Sequence, residues 1–431
     1  MAIHTVTIPQ KYMPKCGKGD MEETFAVNGY FIKSRIEQLE LKIWWIAEQI
    51  RVDRATISRW ISGRVKWGKK SNLESLARVL QVPVTQITIH NPQLARASDA
   101  DVLKAANLIY KKNMKKLVSI DHNYDLLEYC IKSSLSDKLP LNLLARLYFD
   151  LSNACFWQYK LQESIEYIDV SIDIFQKIRD DVSYWEAKRW RATIDTACGS
   201  LLEAIASLQL CSQKVHDPIS RHRALHNIIE AHWLRGDYLR SHAMAVDRLE
   251  DPSYSIDKIS VIKSYIAVGK PLIFINRDKE ATDYLGKARQ CSEDIGYQRG
   301  VHYIDILLTV NDAISSPSKV QIERFKKSFS AIKAIVDDPY WYYFGAIIHK
   351  RNRMFEEGLQ LIDQGMARAD GWNTELGLLA QVKTEIFLEL DKNRAAVRSM
   401  QVAMKHFEKA EAYPRIEEMK LAFSELKVGY E

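Results

Sequence analysis

From about Asp99 onward, apolar residues recur at i, i+3, i+4 and i+7, and the periodic segments come in pairs separated by short polar turns. Aligning the small residue that opens each second segment gives Ser164, Ala204, Ser241, Ala281, a weak match near Gln321, Gly358 and Ala395, at intervals of roughly 37 to 40 residues. The spacing predicts about seven helical hairpins. Upstream, residues 29–90 predict five short helices near 30–40, 42–50, 54–62, 71–80 and 84–88. In the central pair, Ile43, Ile46, Ala47 and Ile50 make one apolar face. Asp53 then caps a helix that turns Ile57 and Trp60 inward and leaves Arg54, Ala55, Thr56, Ser58 and Arg59 outside. Gly63 ends that helix, and Ser71 is expected to cap the next. Residues 1–28, with Pro9, Pro14, Gly17 and Gly19, read as a flexible arm.

A chain of 431 residues exceeds one ordinary core unless it is a repeat array. Its 17 Gly and 11 Pro are too few for a loop-rich β protein, so an all-α fold is expected. No apolar run long enough for a membrane span occurs, and the first twenty residues lack a signal-peptide pattern, which predicts a cytoplasmic protein without membrane partners. The six cysteines are scattered with no C-x-x-C pair and read as reduced thiols, mostly in the core.

The net charge of +6 is concentrated. Between Gly29 and His90 stand eleven basic against five acidic residues, while the rest of the chain balances. A positive field confined to one small domain suits a phosphate-facing surface. Short hydroxyls, a small residue and arginines on one exposed helix face are the groups that major-groove reading needs. Loop lysines would position the protein on the backbone. The candidate DNA contacts are Lys42, Arg54, Ala55, Thr56, Ser58, Arg59, Arg64, Lys66, Lys69 and Lys70.

Ile46-Ala47, Val52, Ile57-Ser58, Trp60, Gly63 and Leu73 through Val82 resemble the Cro/C1-type (XRE) helix-turn-helix over about sixty residues. Three positions depart from that pattern. Arg51 stands where glycine is usual, Ile43 where glutamine is, and Ile61 where glutamate is. The segment Gly63-Arg-Val-Lys-Trp-Gly68-Lys69-Lys70 approaches a P-loop but lacks the magnesium-binding hydroxyl at position 70, so nucleotide binding is not expected.

The repeat region resembles tetratricopeptide repeats. Tyr148, Leu151, Cys155, Ser164, Ile168 and Ser171 occupy the packing places of one unit, and Tyr342, Gly345, His349, Gly358, Ile362 and Gly365 those of another. Stacked units form a right-handed α-solenoid whose first helices line a concave groove. Groove-facing places fall on Arg146, Asn153, Arg189, Arg223, His226, Glu230, Trp233, Tyr303 and Tyr343, residue types that suit peptide carboxylates and extended backbone. His222, His226 and Glu230 share a helix face but lack the intervening glutamate of a zinc motif; neither metal nor other cofactor is expected. No nucleophile elbow or comparable constellation occurs, so the chain is not expected to be an enzyme.

A Cro/C1-type domain followed by a long solenoid resembles the peptide-pheromone-sensing regulators of the RNPP family and the phage arbitrium receptors. The resemblance implies a transcription regulator of the quorum-sensing kind: a homodimer on a palindromic operator in double-stranded DNA, controlled by a short peptide in the solenoid groove. Leu376, Leu379, Ile386, Met400 and Phe407 are the expected dimer surface. The alternative is a scaffold that binds a protein segment, with the helix-turn-helix used for docking only.

Overall fold

The computed structural model describes residues 24–62, 65, 67–89, 103, 106, 124–136, 139–215, 217–250, 258–369 and 371–422. The chain divides into two compact units, one drawn from residues up to 107 with 132–139, the other from 108–131 and 140 onward.

In the first unit, α1 (Gly29–Gln38), α2 (Ile43–Gln49), α3 (Arg54–Ile61), α4 (Lys70–Val79) and α5 (Val84–Ile87) stand where the periodicity places them. α1, α2 and α4 each end in a left-handed residue, Glu40, Arg51 and Gln81. The next residue, Leu41, Val52 or Val82, bonds back to the carbonyl five positions earlier and packs on the core. Arg51 therefore adopts a left-handed conformation that glycine takes more easily, at a cost of about 1 kcal/mol. Ile32, Ile46, Ile57, Leu73, Leu76, Leu80 and Ile87 are fully buried, and Trp60 nearly so.

Two expectations are corrected here. Residues 24–27, expected in the arm, form β1 (Thr24–Val27), which pairs antiparallel with β2 (Trp67–Lys69) and β3 (Thr88–Ile89) in the order β2-β1-β3; among the described residues this small sheet holds all the strands. Asn28 then caps α1, its side chain accepting from the Phe31 N–H. The cap of α4 is Lys69, not Ser71, because the β1–β2 pairing runs to Lys69 and delivers the chain straight into the helix.

The second unit is a stack of tetratricopeptide-like hairpins. After α6 (Tyr124–Ser134) come α7 (Leu141–Trp157) with α8 (Leu161–Lys177), α9 (Asp181–Cys198) with α10 (Leu201–Lys214), and α11 (Pro218–Arg235) with α12 (Tyr238–Glu250). They are followed by α13 (Lys258–Phe274) with α14 (Asp278–Asp294), α15 (Gln298–Ser315) with α16 (Lys319–Lys333), and α17 (Pro339–Arg351) with α18 (Phe355–Arg368). α19 (Asn373–Glu389) with α20 (Asn393–Lys409) and the single helix α21 (Tyr413–Ala422) complete the order.

Six of the seven hairpin turns contain a left-handed residue: Tyr159, Gly199, Gly236, Asn276, Arg353 and Asp391. The exception explains the weak match near Gln321. Between α15 and α16 the chain turns on a capping box in which Ser318 and Gln321 satisfy each other's backbone, so a small residue is not required. Ser164, Ala204, Ser241, Ala281 and Gly358 are all buried against the preceding helix, Ser164 Oγ donating to the Ser152 carbonyl and Ser241 Oγ to that of Ile229. In the last repeat the buried place belongs to Ala396, one residue beyond the expected Ala395.

The first helix of each hairpin packs on the first helix of the next from α9 to α19, and the stack also meets itself end to end, α9 touching α19 and α11 touching α21. Phe156 and Tyr159 lie against the Trp372 ring, while Trp233 meets Tyr340 and Phe344. Among the described residues no helix is long and apolar enough to cross a membrane.

Candidate functional site

The first candidate surface is α3. Asp53 caps it by accepting from the Ala55 N–H, and Ile57 and Trp60 anchor its inner side, the Trp60 indole donating to the Trp67 carbonyl at 3.3 Å. That anchoring turns Arg54, Ala55, Ser58 and Arg59 to solvent, with Thr56 half-buried. Arg59 lies along its own helix, bonding the Ala55 carbonyl and the Thr56 hydroxyl, a conformation the long side chain can leave at little cost. Lys42 and Lys69 are exposed, and the Lys70 ammonium sits 5.7 Å from the Phe25 ring centre. Arg64 and Lys66 lie outside the described residues. Trp44, 56% exposed on α2 beside Lys42, belongs to the same part of the unit and carried no sequence signal beyond its departure from the apolar face.

The second candidate site is the interior of the hairpin stack, where the expected open groove is largely filled by the protein's own side chains. Trp233 is 1% exposed. Phe274, Tyr340 and Phe344 surround its ring, the Lys270 ammonium lies 3.9 Å from its centre, and Arg415 flanks it. Tyr343 is buried against Phe344, and Tyr303 tilts onto Trp341. Arg189 is buried and holds Glu186 through two bonds, at 3.0 and 2.7 Å. Glu230 is ion-paired with Lys270. The physical reason is closure: first helices from opposite ends of the stack meet, so residues placed on the inner face become core.

The remaining predicted residues sit nearer the margin. Arg146 bonds the Ser183 hydroxyl and lies over the Phe175 ring; Asn153 is half-buried; Arg223 is exposed. Arg248 donates to both His226 and His222, so a guanidinium occupies the position a metal would need on that face. Burial first, and then Arg248, hold His226 well below its ordinary pKa. The dimer surface expected at the C-terminal repeats is corrected as well: Leu379, Ile386 and Phe407 are fully buried within the unit, and Leu376 and Met400 are half-buried.

The interior also contains groups that periodicity did not single out. Asp338 caps α17 by accepting from the Tyr340 N–H at 2.9 Å, and burial pushes its carboxyl up to about 6. Glu375, in the first turn of α19, is 2% exposed, and burial pushes its carboxyl up to about 8. Tyr159 extends from the α7–α8 turn, its hydroxyl buried without a hydrogen-bond partner. Arg415, on α21, is 1% exposed. Tyr159 and Arg415 look like ordinary surface residues in the sequence, because the contacts that bury them come from the far end of the stack.

No protein-family model matches the chain, and no curated protein matches it by sequence. Among solved structures, it is similar to the Rap conjugation gene regulator of the plasmid pLS20 in complex with the Phr* peptide. That match has 13% identity and a TM-score of 0.45, covering 91% of this chain and 97% of that one. It is also similar to a Rap protein complexed with competence and sporulation factor, with 13% identity, a TM-score of 0.47, and coverage of 76% and 99%. A third is Bacillus thuringiensis PlcR in complex with the peptide PapR7 and DNA, with 18% identity, a TM-score of 0.37, and coverage of 65% and 98%.

Proposed function

We propose that this chain is a DNA-binding transcriptional regulator, not an enzyme, whose helical-repeat unit senses a short peptide and thereby controls DNA binding by a dimer. The observation that carries the reading is the two-sided build of α3: Ile57 and Trp60 fix the helix from within, and Arg54, Ala55, Ser58 and Arg59 face outward together. A rigidly seated helix with short and forked polar groups on its open side fits a major groove. The basic excess of this part of the chain supplies the attraction to phosphate.

The repeat unit supplies the sensor. A peptide that bound an opened form of the stack better than the closed one would shift the population toward it. A palindromic operator would follow from a two-fold dimer.

The test is selection of random double-stranded oligonucleotides by the full-length protein and by the Arg54→Ala, Arg59→Ala double variant, across a salt series. The expected result is one enriched palindromic sequence whose affinity falls steeply with salt, with the double variant losing it and shortening the salt slope by about 2. Absence of enrichment at about 50 mM salt, with and without a pool of short peptides, would overturn the reading.

A further inference from the structure

Helix α2 carries two tryptophans on its open side. Trp44 is 56% exposed and Trp45 36%, while Ile46, Ala47 and Ile50 hold the opposite side in the core. Two indoles left in water on a seven-residue helix expose a large apolar area, and tryptophan is among the residues most enriched where proteins bind one another.

Four charges frame the pair. Glu40 and Lys42 precede it, Glu48 and Arg51 follow it, and all four are exposed. Among the described residues none of the four is in an ion pair, whereas α1 beside them has one, Lys33 with Glu37. Their signs alternate along the chain: negative, positive, negative, positive. Lys42 and Glu48 stand three residues either side of Trp45, and Glu40 and Arg51 stand five and six.

Reversing such a segment inverts the sign at every charged place. Two copies of α2 laid antiparallel therefore bring Lys42 of each opposite Glu48 of the other, and Glu40 opposite Arg51, with the Trp45 rings meeting near the two-fold axis. No other class of partner is matched so fully. A nucleic-acid backbone on this face would set Glu40 and Glu48 against phosphate, and a uniformly acidic or basic protein would leave two of the four charges beside their like.

We propose that the open face of α2 is a self-complementary contact surface whose partner is α2 of a second copy of this chain, in antiparallel two-fold pairing. The proposal rests on the reading of the protein as a dimer and gives that dimer a surface. It assigns Lys42 to Glu48 of the other copy instead of to phosphate, and it uses none of Arg54, Ala55, Ser58 and Arg59, so the α3 face stays open. So short a helix covers less than the ~800 Å² per partner of a standard interface, and the contact is accordingly transient and has to be trapped.

The full-length protein is tested without DNA, with the photoreactive residue p-benzoylphenylalanine installed at Gln49, which the antiparallel register sets opposite Leu41 of the second copy. Illumination is expected to give a covalent dimer whose joined peptides, mapped by mass spectrometry, are the two α2 segments. Lys42→Glu, which sets like charges face to face, is expected to cut the yield at least about fivefold, and adding Glu48→Lys to it is expected to restore the yield. Trp45→Ser is expected to cut it as well, by removing the central ring. The substituted positions lie outside the core, so the fold is kept, which melting curves verify. No covalent dimer, a dimer joined through other segments, an undiminished yield from Lys42→Glu, or a double variant that stays low overturns the surface. Because DNA is absent, a failed cross-link leaves operator selection standing, and a failed selection leaves the cross-link standing.

Discussion

The Arg415 guanidinium, on the last described helix, donates to the carbonyl oxygen of Leu234 at 2.6 Å across 181 residues of sequence. It also donates to the Trp233 carbonyl at 3.0 Å and the Tyr238 hydroxyl at 2.9 Å. The two carbonyls belong to the last turn of α11, where the helix dipole favours a cation; that of Trp233 also accepts from the Gly236 N–H. The Glu411 carboxylate accepts from the Leu202 N–H at 2.9 Å, and the Asn373 amide donates to the Cys198 carbonyl at 3.0 Å. Closure of the stack is thus held by polar contacts between its ends as well as by ring packing.

Arg415→Met should keep most of the side-chain volume while orphaning the Leu234 carbonyl, that of Trp233 keeping the Gly236 N–H at 3.0 Å. The expected loss is about 3 kcal/mol, read as a lower urea midpoint. Arg415→Lys, which restores the charge but not the fork, should recover only part of it. An unchanged midpoint for Arg415→Met would show that the rings alone hold the stack closed.

Glu375 gives the protein a pH dependence of defined sign. In the folded state burial raises its carboxyl from 4.5 to about 8, with Asp338 pushing in the same direction, so the folded chain binds more protons than the unfolded one between these values. Stability at Glu375 is therefore highest below about pH 4.5 and falls as the pH rises toward 8. Glu375→Gln should be more stable than the natural protein at pH 8, by about 2–4 kcal/mol, with the gap closing toward pH 4.5. Paired urea titrations at pH 5 and pH 8 read this directly. A variant less stable at pH 8 would mean that the carboxylate has a partner in solution.

Local order was legible in the sequence, and long-range closure was not. Tyr148, Leu151, Cys155, Ser164, Ile168 and Ser171 could be placed from spacing alone, because each packs against a helix one turn away in the chain, and all six are buried. Helix α3 was legible for the same reason: Asp53, Ile57 and Trp60 act within one helix and its neighbours. Trp233 reads in the sequence as a groove residue but lies in a core, since Tyr340 and Phe344 reach it from more than a hundred residues away. Asp338, Glu375 and Arg415 carry no periodic signature, and the burial of Arg415 comes from the meeting of distant ends.

Burial also governs the thiols. Cys198 and Cys211 are both pushed up to about 11, chiefly by desolvation. At pH 8 very little of either is thiolate, the reactive form. Iodoacetamide should label both at least about a hundredfold more slowly in the folded protein than in the urea-unfolded chain, as read by peptide mass mapping. Comparable rates in the two states would mean that the hairpins open faster than the reagent reacts.

Gly29 offers a way to separate the seating of α3 from its contacts. It opens α1 directly behind the Asn28 cap, and a Cβ built on it would fall 2.0 Å from the Trp60 carbonyl oxygen and 3.3 Å from that of Ile61. Both are backbone atoms at the end of α3, so no side-chain rotation relieves the clash. Gly29→Ala must drive α1 away from α3, at a cost of about 1–3 kcal/mol to the first unit. Calorimetry should show a transition of that unit lowered by several degrees, with the repeat unit's transition in place. DNA affinity should fall with it, because α3 loses the support that orients Arg54 and Arg59. The Arg54→Ala, Arg59→Ala variant alters only exposed side chains, so it should abolish the same binding with both transitions unmoved. If Gly29→Ala destabilised the unit yet left DNA affinity intact, the seating of α3 would be irrelevant to recognition, and the proposed major-groove geometry would be wrong.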